Sequence, residues 1–193
     1  MNNKYERVAL QYPSEIAAFI KLLKQEEVKS YLEIGSKFGG SLWRVANELP
    51  KGSRVVAVDL PHGDTSFKES QPHLEHCVKR LRHERGYDSY LFLGSSTNAD
   101  IVSLVAGLGP YDACLIDANH TEGFVRADWA NYGPLARIVA FHDISWKDGN
   151  RPPSKKYPIQ VPKVWNEIKQ SYRHCEIKLD PTGQDNGFGI LWR

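Results

Sequence analysis

The sequence predicts a three-layer α/β sandwich, a mostly parallel sheet of seven strands whose C-terminal edge is an antiparallel hairpin. Three observations predict it. Short β-branched apolar runs alternate with segments whose apolar residues recur at helical spacing. Five such strand–helix steps fit within 193 residues. The last two strand-like runs are separated by a short Pro181-Thr182-Gly183 turn region, as a hairpin requires. Such an order places crossover helices on both faces of a parallel sheet and leaves an antiparallel edge where the crossovers stop.

Each element has its own signal. Residues 1–28 read as an N-terminal helical segment, in which Pro13, Ser14 and Glu15 open a helix, Ser14 is a candidate cap, and Ile16, Phe19, Ile20 and Leu23 recur at helical spacing. The run 30–34 is short, apolar and ends at Gly35, so it reads as a buried strand. Residues 41–49 form a helix stopped by Pro50 and the Lys51-Gly52 turn. Residues 54–60 are β-branched and nearly continuous, which suits a central parallel strand. Pro72 belongs in the first turn of a helix that carries Leu74, Val78 and Leu81 and stops at Gly86.

A third strand follows at 90–93, then a helix over 97–108 up to the Gly109-Pro110 breaker. Strands four and five lie at 111–117 and 138–142, with a helix over 123–132 between them. Beyond Asp143 the pattern changes: 145–160 is polar, contains Pro152, Pro153 and Pro158, and reads as a loop or lid. Val164, Trp165, Ile168 and Tyr172 give one more helix, and strands near 175–179 and 188–192 close the chain. No repeat, low-complexity tract or linker divides it, so residues 1–193 read as a single domain.

Composition excludes several classes. With 41% hydrophobic and 25% charged residues the chain can bury a core and is not a disordered segment. Twenty-five Lys and Arg against 23 Asp and Glu leave a net charge of +2, with no global field for gripping nucleic acid or an anionic membrane. Cys77, Cys114 and Cys175 are far apart, without a CxxC pair, which argues against a disulfide framework or a thiolate zinc site and for a reducing compartment. The first fifteen residues lack the apolar core of a signal peptide, and no run approaches the roughly 18 apolar residues of a membrane span. The expectation is a cytoplasmic protein with no membrane or nucleic-acid partner; a homodimer is left open.

In an open α/β sheet, ligands bind beyond the carboxyl ends of the strands, where strand order reverses. The first strand end, from Glu33 through Gly35, Ser36, Gly39 and Gly40 to Ser41, is the most informative. Its glycines allow a sharp turn and close approach to a ligand, and the helix that follows offers unpaired N–H groups to an anion. A dinucleotide GxGxxG fails because position 37 is lysine, and a phosphate P-loop fails because Ser41-Leu42 follows Gly40. A tight turn with no ligand is the plainer alternative. Asp59 ends the second strand, where a carboxylate accepts the two hydroxyls of a ribose; its plainer alternative is a helix cap or a solvated acid.

Together, the acid-x-Gly-x-x-x-Gly-Gly pattern at Glu33–Gly40, the strand-ending Asp59, the Leu115-Ile116-Asp117-Ala118-Asn119-His120 run and the Val139-Ala140-Phe141-His142-Asp143-Ile144 run resemble class I S-adenosylmethionine (SAM)-dependent methyltransferases. The last two runs resemble their small-molecule O-methyltransferase branch. The resemblance spans roughly residues 28–193 and implies a Rossmann-like sandwich, SAM as cofactor and methyl transfer to a small acceptor, a hydroxyl oxygen.

It also implies roles. Glu33, Gly35, Ser36, Gly39, Gly40 and Ser41 would hold the methionyl part, Asp59 the ribose and Leu60 the adenine face, with Ser95 or Ser96 near the adenine edge and Asp117 bordering the cofactor. Family members often carry an acid where this chain has Ser95-Ser96. Asp117, His120, His142 and Asp143 are the candidate catalytic residues. Asp117, His142 and Asp143 also match a divalent-metal site of catechol-type relatives. The imidazole suits Mn²⁺, Fe²⁺ or Zn²⁺ better than Mg²⁺. Without a metal, His142 and Asp143 shape the acceptor pocket, or His142 or His120 serves as general base.

Rival readings have specific requirements. An adenine-N6 methyltransferase would carry an Asn/Asp-Pro-Pro-aromatic turn after strand four; here Asp117-Ala118-Asn119-His120 stands there, Asn150-Arg151-Pro152-Pro153 lies after strand five, and no Pro-Cys nucleophile is present. An NAD-dependent oxidoreductase would need the absent GxGxxG. A non-catalytic SAM-binding or interaction protein on the same fold is the alternative from another class, and it has no need of Asp117, His120, His142 and Asp143. His73, His76 and His83 share a helical face and read as solvated. Lys147, Arg151, Lys155 and Lys156 make the lid basic, as an ordinary loop or to steer an anionic acceptor, while Trp146, Tyr157 and Trp165 line the acceptor side or the core.

Overall fold

A computed structural model describes residues 9–61, 70–146, 158–179 and 186–193. Residues 147–157 of the expected 145–160 lid, with its four basic residues and Tyr157, the turn over 181–183, residues 1–8 and positions 62–63 after the second strand lie outside the described residues. The strands are β1 (Ser30–Ile34), β2 (Arg54–Asp59), β3 (Asp88–Leu93), β4 (Tyr111–Ile116), β5 (Ala136–His142), β6 (Arg173–Ile177) and β7 (Phe188–Trp192). They form one sheet in the order β3-β2-β1-β4-β5-β7-β6. β1 to β5 are parallel, and β7 runs antiparallel between β5 and β6.

Strand alternation creates two cores. Tyr31, Val55, Ala57, Leu115 and Ala140 point toward the helices α1 (Pro13–Gln25), α2 (Gly40–Glu48) and α3 (Ser70–His83). Leu32, Val56, Cys114, Val139 and Phe141 point the other way, to α4 (Ala99–Gly107), α5 (Glu122–Tyr132) and α6 (Val161–Ile168). The predicted three-layer sandwich and antiparallel edge are both present. Gly189 allows the central β7 to pass under α6: a Cβ there would meet the Trp165 indole at 2.5 Å. Among the described residues, no helix is long and apolar enough to cross a membrane.

Several element boundaries differ from expectation. Ser14 does not cap α1. Pro13 occupies the first helical position, where its missing N–H leaves nothing unpaired, so Ser14 already lies inside the first turn and Tyr12 is the cap residue. Asn98 caps α4 instead of Thr97 starting it, its Oδ1 accepting from the Asp100 and Ile101 N–H groups. Tyr172 is not helical: a 3₁₀ turn over Lys169–Ser171 follows α6, and Tyr172 adopts extended backbone before β6. Its ring packs edge-on against Trp129 with centroids 5.6 Å apart. That tertiary contact explains why an apolar residue there mimicked a continuing helix.

Candidate active site

The sheet's order reverses between β1 and β4, so the crevice at their carboxyl ends is the topological switch point. Ladder bonds continue past the strand ends and hold this edge together: Gly35 N–H donates to Val58 O, Asp117 N–H to Ile34 O, and Gly94 N–H to Asp59 O. Gly35 has φ +91°, and a Cβ on it would lie 2.3 Å from the Asp117 carbonyl oxygen. The glycine thus brings the tip of β1 directly against the tip of β4.

The turn after β1 is pinned from below. Glu33 is fully buried, Tyr31 Oη donates to its Oε2 and Ser41 Oγ donates to its Oε1, each at 2.8 Å. Burial pushes its carboxyl up to about 7, against the lowering effect of those hydroxyls. Glu33 therefore ties β1 to the first turn of α2 and has no surface on the cleft. Ser36, Gly39 and Gly40 are buried in the same turn. Gly39, at φ +79°, precedes α2 without a side-chain cap, so the helix's leading N–H groups have no side-chain acceptor.

Asp59 faces this turn from β2. Its Oδ2 accepts the Lys37 N–H and its Oδ1 the Leu60 N–H at 2.7 Å. Burial raises its carboxyl, opposed by these backbone donors. Leu60 is 49% exposed beside it, an apolar surface at the mouth of the crevice. At the end of β3, Ser95 Oγ lies 2.9 Å from Thr97 Oγ1, while the buried Ser96 carbonyl accepts from Tyr132 Oη at 2.7 Å. Asp128 of α5, missed in the sequence, is fully buried beside Ser96, and burial pushes its carboxyl up to about 6.

On the other side of the switch point the structure brings Asp117, His120, His142 and Asp143 together. His120 Nε2 is 3.4 Å from Asp117 Oδ1 and 3.1 Å from Asp143 Oδ2. His142 Nδ1 is 3.4 Å from Asp117 Oδ1 and 3.3 Å from Asp143 Oδ1. Asp143 reaches them because its backbone is left-handed, φ +63°, a conformation that aspartate tolerates better than most residues. Burial alone would raise the Asp117 carboxyl, but the His142 charge and the bonds from both histidines hold it well below the usual carboxylate range. Burial lowers His120 and His142, and the carboxylates overcome it, so both imidazoles lie above their ordinary value. Burial raises Asp143.

Asp117, His120 and Asp143 place one ligand atom each within 4.8 Å of one another. The cluster holds His120 where the sequence pattern put His142, so the expected set of Asp117, His142 and Asp143 is met in its two carboxylates but not in its imidazole. Asp143 Oδ1 is buried with no hydrogen-bond partner among the described residues, as a cation ligand would be. Two carboxylates and imidazole nitrogen fit Mn²⁺, Fe²⁺ or Zn²⁺ better than Mg²⁺.

The N-terminal segment, Gln11 and the first turn of α1, completes the site, which the sequence reading did not foresee. Gln11 Nε2 donates to Asp117 Oδ2 at 2.7 Å, and the fully buried Glu15 lies 3.8 Å from His142 Nε2. A signal existed: Glu15, Phe19 and Leu23 are four residues apart, so Glu15 sits on the apolar stripe. Elsewhere, His76 and His83 are exposed and His73 packs against Phe38, in line with a solvated face. Trp165 is core, and Trp146 is half-buried.

A Rossmann-like sandwich with a glycine turn, an acid-tipped second strand and a histidine–carboxylate cluster across the switch point defines a nucleoside-using transferase class. The family model described as "Methyltransferase domain" matches residues 32–144, more than half of the chain, and the chain belongs to that family. Solved structures share the fold. A Staphylococcus aureus protein assigned as a caffeoyl-CoA O-methyltransferase superposes with a TM-score of 0.72 at 17% identity, over 100% of this chain and 93% of that one. An O-methyltransferase from Bacillus cereus, in complex with SAH, gives 0.68 at 16% identity over 94% and 82%. TomG, an O-methyltransferase of tomaymycin synthesis from Streptomyces achromogenes in complex with SAM, gives 0.67 at 21% identity over 95% and 81%. No curated protein sequence matches the chain.

Proposed function

We propose that this methyltransferase domain moves the methyl group of SAM to a hydroxyl oxygen of a small acceptor. The observation that carries the reading is the cluster of Asp117, His120, His142 and Asp143 beside the Gly35 turn, which a protein that only bound SAM would not need. SAM supplies an electrophilic methyl on its sulfonium, so the chain's task is alignment, exclusion of water and removal of the acceptor proton.

The uncapped N-terminus of α2 and the Gly35–Ser41 turn would hold the methionyl carboxylate. Asp59 would take the ribose hydroxyls on its remaining lone pairs, Leu60 would cover the adenine face, and Ser95 or Ser96 would meet its edge. Glu33 would act beneath them by holding Ser41. His120, 31% exposed at its side chain, is the member of the cluster that opens toward solvent, and it would receive the acceptor proton while Asp117 and Asp143 balance the charge. A divalent cation held by Asp117, Asp143 and a histidine would lower the pKa of the acceptor hydroxyl at the same place. The three cysteines are unpaired, which supports a cytoplasmic setting.

Calorimetry with SAM, SAH and NAD, followed by detection of SAH release with phenolic and aliphatic hydroxyl acceptors, tests the reading. SAM and SAH are expected to bind and NAD not. Preference for NAD, or SAM binding with no turnover on any hydroxyl, would overturn it.

A further inference from the structure

Glu15 is an acid that α1 carries into the core. Its Oε1 accepts the Gly187 N–H at 2.6 Å, while its Oε2 is buried with no hydrogen-bond partner among the described residues. Opposite Oε2, at 3.8 Å, stands His142 Nε2, also buried and also without a partner. The other ring nitrogen, Nδ1, faces Asp117 and Asp143. The imidazole rests against the Phe188 ring, centroids 4.8 Å apart.

A water bonded to both Oε2 and Nε2 at its tetrahedral angle would set them about 4.5 Å apart, wider than the 3.8 Å found. Buried polar atoms are paired in folded proteins, and among the described residues neither of these two has a hydrogen-bond partner while they face each other. At 3.8 Å the two stand at ion-pair distance, beyond hydrogen-bond length. Through Gly187, whose preceding residue Asn186 accepts the Ser145 N–H, Glu15 also joins α1 to the backbone that follows Asp143.

We propose that Glu15 is a positioning residue, whose carboxylate holds the proton on His142 Nε2 and thereby presents Nδ1 to Asp117, Asp143 and the acceptor space. The role of the presented nitrogen rests on the O-methyltransfer reading; the Glu15–His142 pairing does not. A hydrogen bond on one imidazole nitrogen decides what the other can do, whether it accepts a proton or ligates a cation. The N-terminal helix is then part of the catalytic machinery, not a cover over it.

Glu15→Gln tests this, because the amide keeps an oxygen for the Gly187 N–H but turns an NH₂ group toward Nε2. Ring-nitrogen NMR on histidine-labelled protein, without SAM or acceptor, should show Nε2 of His142 protonated in the wild-type chain and unprotonated in the variant. Turnover should fall at least tenfold in kcat with SAM affinity changed less than twofold, and Glu15→Asp, which keeps the charge, should recover part of it. A wild-type Nε2 without a proton overturns the proposal even where the variant does not fold, as does a variant with wild-type ring signals and kcat. The expected ring signals in a protein that methylates no hydroxyl would overturn the functional reading alone.

Discussion

The carbonyl oxygen of Asp117 lies 2.3 Å from where a Cβ on Gly35 would stand, so the glycine turn and the tip of β4 share one space. Gly35→Ala must push back β4 and also force alanine into φ +91°. Left-handed strain and overpacking each cost about 1–3 kcal/mol, so the variant is expected to lose about 2–6 kcal/mol of stability. Chemical denaturation and SAM calorimetry check it. A variant of wild-type stability that still binds SAM would show that the close approach is unimportant.

Asp143→Asn preserves a side chain that accepts left-handed backbone while removing the charge that faces His120 and His142. Because proton transfer by a positioned group contributes about 10²–10⁴-fold, turnover should fall about a hundredfold or more. SAM affinity should stay within about twofold, since Asp59 and the glycine turn lie on the other side of the switch point. Parallel loss of SAM binding would place Asp143 in the cofactor site.

Asp59→Asn should act in the opposite sense. A hydrogen bond to a charged group is worth about 1.5–3 kcal/mol, so SAM should bind about ten- to a hundredfold more weakly. Titration calorimetry with SAM and with its deoxyribose analogue would show the variant losing its discrimination between the two. Retained discrimination would remove Asp59 from the ribose.

Glu33 gives the chain a pH signature. The folded protein holds its proton up to about 7, whereas the unfolded chain releases it near 4.5, so between those values the folded state binds more protons. Stability from this group is complete below about pH 4.5, declines as pH rises toward 7 and is flat above; the full change is about 3 kcal/mol. Glu33→Gln should flatten denaturation midpoints across that window. An unchanged slope would mean that Glu33 is ionised inside the fold.

Saturating Mn²⁺ or Zn²⁺ should stabilise the fold more than Mg²⁺ does, by up to about 3 kcal/mol at a hundredfold excess over Kd, read as a larger rise in thermal midpoint. His120→Ala should remove most of that shift, because His120 shares the 4.8 Å cluster with Asp117 and Asp143. Equal shifts with all three ions would argue for adventitious surface binding.

Much of this protein was written locally in its chain. Short continuous β-branched runs and helical apolar spacing marked the layers, because burial is a constraint that neighbours in sequence share. Glycine and acidic residues at strand ends marked the crevice, since a parallel sheet gathers those ends on one edge. One boundary slipped through a tertiary contact, Trp129 against Tyr172 beyond the expected helix, and another through a local one, the Asn98 cap at the start of α4.

Only the folded arrangement decided how the site is completed. Glu15 lies on a helix that looked like simple cover and Gln11 just before it, yet they meet His142 and Asp117 across most of the chain's length. Glu33 has the position of a ligand-binding acid, but its burial turns it into the anchor of the glycine turn. Periodicity says which face a residue occupies; which distant residue waits there is set by how helices pack on the sheet, and no local pattern carries that information.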